Sequence, residues 1–67
     1  MTITAKNAGP HTLIKIASVY EGHGQWFDAA GAWNNAAILT AAWNPALARE
    51  YDKHAQRCLD LHDMNGA

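Results

Sequence analysis

The 67-residue sequence predicts an all-α, three-helix domain, and three observations carry that prediction. Apolar residues recur at steps of three and four, the period of a helix with one buried face. Two punctuation marks, Gly22-His23-Gly24 and Asn44-Pro45, divide the chain into segments of helical length. The last segment separates its apolar from its charged residues cleanly around a helical wheel.

The first helix is expected over about 11–22. Gly9-Pro10 stops whatever precedes it, and proline suits a first helical turn. Leu13, Ile16, Ala17 and Tyr20 form its core stripe, with Ile14 and Val19 turned about 100–120° away. Glycine can take the left-handed conformation that caps a helix, so Gly22-His23-Gly24 reads as the turn of an antiparallel helical hairpin. Residues 1–9 show no strong periodicity and read as a flexible arm.

The second helix, about 25–42, is expected to be central. At 100° per residue Trp26, Ala30, Trp33 and Ala37 share one narrow face. Ala29, Ala36 and Thr40 border it on one side and Ala41 on the other. The polar remainder, with Asp28, Gly31 and Asn35, is thin, so neighbours are expected on two sides. Large indoles set among alanines allow close helix approach.

Asn is a favoured N-cap and Pro a favoured first helical residue, so a third helix starts at Pro45 and runs to about residue 63, with Asn65-Gly66 ending it. Leu47, Tyr51, His54, Ala55, Cys58, Leu61 and His62 fill its inner sector. Arg49, Asp52, Lys53, Gln56, Arg57, Asp60 and Asp63 fill the outer one, which reads as uniformly polar. The expected core is therefore Leu13, Ile16, Ala17, Tyr20, Trp26, Ala30, Trp33, Ala37, Leu47, Tyr51 and Cys58.

Charge and composition limit the function classes. Six acidic and five basic residues give a formal charge of −1, so the chain has no surplus of Lys and Arg for a basic face on nucleic acid. No apolar run at the N-terminus reaches the length of a leader or a membrane span, and no membrane association is expected. The single cysteine cannot close an internal disulfide, which suits a reducing cytoplasmic setting.

Few residues suggest chemistry. His54, Cys58 and His62 at i, i+4, i+8 line one stripe and are of zinc-binding types, but a buried small hydrophobe with histidines at its edges is the simpler reading. A Cys–His catalytic pair finds no accompanying oxyanion loop. Glu21 and Asp28, on either side of the hinge, read as caps or solvated charges. Gly22-His23-Gly24 lacks the pattern and the lysine of a phosphate loop. The expectation is a protein without enzymatic activity, metal or cofactor.

Two resemblances add to this. Ala17, Tyr20, Gly24, Trp26, Ala29, Trp33 and Ala36, in that order and spacing, resemble the helical hairpin of a tetratricopeptide repeat. Glu21, Gly24, Trp26, Ala29, Ala30, Trp33 and Ala36, followed by Ala55 and Cys58, look like the ANR (AraC negative regulator) family and the related PerC-like regulators of enteric bacteria and their phages. That likeness covers roughly residues 13–60; the family's basic residue four positions before the late cysteine is His54 here. It implies a small regulator that binds an AraC-type transcription activator and restrains it. A PerC-like activator touching DNA directly, or a phage-encoded inhibitor of a host defence enzyme, are the alternatives.

Independently of the likeness, Ile14, Val19, Phe27, Ile38 and Leu39 are apolar residues that so small a core is not expected to cover. They are the candidate partner-binding residues, for a transcription factor or for a second copy in a homodimer.

Overall fold

The structure, a computed structural model, describes residues 9–66. Their regular structure is three helices: α1 (Pro10–Gly22), α2 (Trp26–Ala41) and α3 (Pro45–Gly66). The domain is thus all-α. The expected bounds are matched within a residue except at the end of α3. That helix runs through Asn65 to Gly66, past the Asn65-Gly66 stop that the sequence suggested. The arm expected over 1–9 lies, apart from Gly9, outside the described residues.

Each helix end has a local cause. Gly9 is extended and Pro10 supplies the pre-set φ of a first helical residue. At the far end of α1, Gly24 adopts φ +71°, while the Gln25 N–H donates to the Tyr20 carbonyl at 2.8 Å and the Gly24 N–H to the Glu21 carbonyl at 3.0 Å. This pair of bonds is a Schellman motif, and it makes Gly24 the glycine that needs left-handed backbone. α2 ends with the Thr40 carbonyl accepting from both the Trp43 and Asn44 amides. Asn44 then caps α3, its Oδ1 accepting the Leu47 N–H at 3.1 Å, with Pro45 as the first helical residue.

α2 packs against both α1 and α3, which scarcely meet each other. The result is a slab of 37 × 32 × 14 Å with α2 in the middle. Leu13, near the start of α1, shares a groove with Asn35, Ile38 and Leu39, near the end of α2, so the first two helices run antiparallel. Phe27 at the start of α2 meets His62 late in α3, so the second pair does the same.

The core is built mostly of alanine. Ala17, Ala29, Ala30, Ala32, Trp33, Ala55 and Cys58 form one buried cluster, and Leu13 with Ala36 a second. Of the expected core, Leu13, Ala17, Ala30, Trp33, Ala37 and Cys58 are buried. Ile16, Tyr20, Trp26, Leu47 and Tyr51 are half-buried, since a slab lacks the second layer that would finish covering large side chains. Ala32 and Ala48 are buried although the wheel did not select them, and Ala41, placed at the edge of the core face, is exposed.

Ile14 is a clear correction. It was expected to face outward, yet it is half-buried and packs against both clusters, because the inner side of α1 is contacted over a wide arc. Thr40 is fully buried, and its hydroxyl finds no hydrogen-bond partner, a local cost to the fold. Among the described residues no helix is long and apolar enough to cross a membrane.

The hinge supplies a stability test. Gly24→Ala should destabilise by about 1–2 kcal/mol, the cost of left-handed backbone for an L-residue. Nothing lies within 4 Å of a β-carbon there, so that cost is purely conformational. Gly22→Ala, in open space within α1 and without a positive φ, should instead stabilise by about 0.5–1 kcal/mol. Urea unfolding of the two variants beside the parent checks both signs.

Candidate protein-interaction surface

The side chains that could carry chemistry meet at Trp33. Its indole N–H donates to Glu21 Oε2 across the hairpin at 2.8 Å. Its ring stacks on His54 with centroids 4.4 Å apart and planes 17° apart, and lies 5.7 Å from the Tyr51 ring. One buried side chain of α2 therefore touches both flanking helices. Glu21 is neither a cap nor a solvated charge, as the sequence suggested, but the acceptor that satisfies a buried indole. Asp28 is exposed in the first turn of α2, where a negative charge complements the helix dipole.

The His54, Cys58 and His62 stripe is drawn apart by packing. His54 lies flat on Trp33, and the His62 ring leans on Phe27, centroids 5.4 Å apart. Cys58 is 2% exposed within the alanine cluster. Burial pushes its thiol pKa above the ordinary 9.0; the Glu21 charge pushes the same way, and Arg57 opposes both. A thiol held protonated is a poor nucleophile and a poor metal ligand. Among the described residues no group of three or more His, Cys, Asp or Glu is placed to hold a metal.

The outward apolar residues are more informative. Val19, Phe27, Ile38 and Leu39 are 59%, 55%, 63% and 44% exposed, and Trp43, in the turn after α2, is 65% exposed. Four of the five candidate partner-binding residues are thus at the surface, Ile14 being the exception. Trp43 was missed. Its signal was position: it stands just before the Asn44-Pro45 stop, beyond the last helical turn, where the core face of α2 cannot include it. The outer face of α3 is not uniformly polar either, since Met64 is exposed there, and Leu59 is exposed at its border with α2.

Val19, Ile38, Leu39 and Leu59 border shallow grooves. Leu13, Asn35, Ile38 and Leu39 line one at the α1–α2 junction. Ala30, Gly31, Asn34, Ala55 and Leu59 line another between α2 and α3. Thr12, Lys15, Ile16, Val19 and Tyr20 line a third, almost wholly apolar, on α1 alone. Comparison with protein-family models, with curated proteins and with solved structures found no match in any of the three.

Two expectations follow from this packing. Trp33→Ala should remove cooperative unfolding near room temperature. Truncating a buried Trp costs about 3–5 kcal/mol, comparable with the whole stability of so small a domain, and here it also strips Glu21 of its donor. A thermal melt shifted by only a degree or two would show that Trp33 does not join the helices.

The second expectation concerns alkaline pH. Because folding raises the Cys58 pKa, this thiol favours the folded state fully below its unfolded value of 9.0 and progressively less as pH climbs through its folded value. The parent should therefore lose more stability above pH 9 than Cys58→Ala does. Denaturant midpoints of both proteins across that range measure the difference.

Proposed function

We propose that this chain is a small non-enzymatic regulator that acts by binding another protein, and that the partner is an AraC-type transcription activator which it restrains. The observation that carries the reading is the apolar surface of the hairpin. Val19, Phe27, Ile38 and Leu39, joined by Trp43, stay exposed on a chain whose core is mostly alanine. Small proteins rarely leave such groups to water unless they form an interface. Phe27 and Ile38 lie on nearly the same line of α2, with Gly31 and Asn34 between them, so a partner can run along that helix.

The groups that could do chemistry are otherwise engaged: Glu21 accepts the indole bond, His54 is stacked and Cys58 is buried and protonated. The net charge of −1 favours a protein partner over a phosphate backbone. The choice of an AraC-type activator comes from the ordered resemblance over residues 13–60 and sets the partner to be tried first.

Co-expression with an AraC-type activator and a reporter from its promoter tests the reading. The chain should co-purify with the activator and lower reporter output. Val19→Asp and Ile38→Asp should each reduce association by a hundredfold or more, since an unpaired charge buried in an interface is strongly unfavourable. Both positions are exposed, so circular dichroism should stay that of the parent. Retained association in both variants would assign the contact elsewhere, and duplex DNA binding that falls steeply with salt would move the protein to the DNA-contacting class.

A further inference from the structure

Among the described residues α1 is an edge helix: its inner side packs on α2, and it scarcely meets α3. Along the flank of α1, between that inner side and the exposed Lys15 and Val19, the rows Thr12–Ile16–Tyr20 and Lys15–Val19, each at i, i+4 spacing, bound a shallow groove of about 370 Å³, its Ile16 and Tyr20 wall resting on the core. A furrow between two i, i+4 rows is the shape into which a second helix lays its own i, i+4 ridge. The 13 residues of α1 offer it about 20 Å of length.

Charge narrows the occupant. Lys15 is the only charged residue lining the groove, and it is exposed. Among the described residues the one ion pair is Lys53 with Glu50, so Lys15 has no carboxylate partner. The sole acidic residue of α1, Glu21, is held by the Trp33 indole. An apolar furrow with one unpaired ammonium group at its wall complements an apolar ridge flanked by a carboxylate.

We infer that this flank groove of α1 is the docking site for an amphipathic helix of a partner protein, with an apolar i, i+4 ridge in the furrow and an Asp or Glu beside it that meets Lys15. The inference rests on the proposed protein-binding function and names the edge and the chemistry of its partner. A second copy fits less well. Lys15 lies near the middle of α1, so two-fold pairing of α1 on α1 brings the two Lys15 charges together with no carboxylate to offset them. The eight residues before Gly9 carry a lysine and no carboxylate, so they do not complement the groove either.

Two helical probe peptides test this, identical in a Leu ridge at i, i+4 spacing and differing only in Glu or Lys flanks, titrated into the ¹⁵N-labelled protein. The Glu peptide should shift amides from Thr12 to Tyr20 and bind at least fivefold tighter than the Lys peptide. Lys15→Glu, at an exposed position, should reverse that preference, and Val19→Asp should abolish binding of both peptides.

Equal binding of the two peptides, shifts centred on Phe27 and Ile38 instead of α1, or no binding at all overturns the inference. So does sedimentation of the parent as a dimer that Val19→Asp returns to monomer, which would give the groove to a second copy. If Val19→Asp fails to fold, the Lys15→Glu preference decides alone. Activator association lost in Ile38→Asp but kept in Val19→Asp and Lys15→Glu overturns this inference while leaving the proposed function in place. Absence of any activator association in the parent overturns the function itself.

Discussion

The Trp33 indole is the constraint on which this structure depends. α1 and α3 scarcely touch, so something on α2 must fix both, and Trp33 does so with the two ends of its chemistry. Its polar edge donates to Glu21 of α1, and its ring lies on His54 and near Tyr51 of α3. A buried indole needs an acceptor for its N–H and partners for its faces, and the two requirements are met from opposite flanks. The Glu21 carboxylate also reaches Cys58 electrostatically, so the end of α1, the middle of α2 and the later part of α3 are coupled at one place.

An alanine core shapes everything around that joint. Alanines let the helices come close but contribute little buried area each, so the stabilising area is thin for the chain's length. Among the described residues, the flat arrangement of α1, α2 and α3 then leaves the outer side of each edge helix, and the back of α2, without a neighbouring layer. Large apolar side chains on those sides stay in water. The exposure of Val19, Phe27, Ile38, Leu39 and Trp43 is thus a consequence of how the core is made, and a binding partner would supply the missing layer.

The same packing gives each member of the His54, Cys58 and His62 stripe a different neighbour. Burial raises the Cys58 thiol pKa, the exposed His54 ring stacks on Trp33, and His62 is drawn to Phe27. Three residues whose spacing on one helix face suits a metal are each engaged by a different neighbour. Spacing along a helix brings side chains into line, but what they face is set by the adjoining element.

Much of the architecture was legible in the sequence because it is governed locally. Gly24 and Asn44-Pro45 set the two turns through backbone conformation and capping, which depend on a few neighbouring residues. The 3.6-residue period identified α2 as central and Leu13, Ala17, Ala30, Trp33, Ala37 and Cys58 as buried. What the tertiary structure alone decided is how wide an arc each helix buries and which polar groups meet across the turns. Ile14 went inside because α1 is contacted beyond its narrow stripe. Glu21 became the acceptor of an indole twelve residues away, a pairing that helical periodicity does not encode because it depends on the relative placement of two helices. Trp43 stayed outside because α2 turns away just before it.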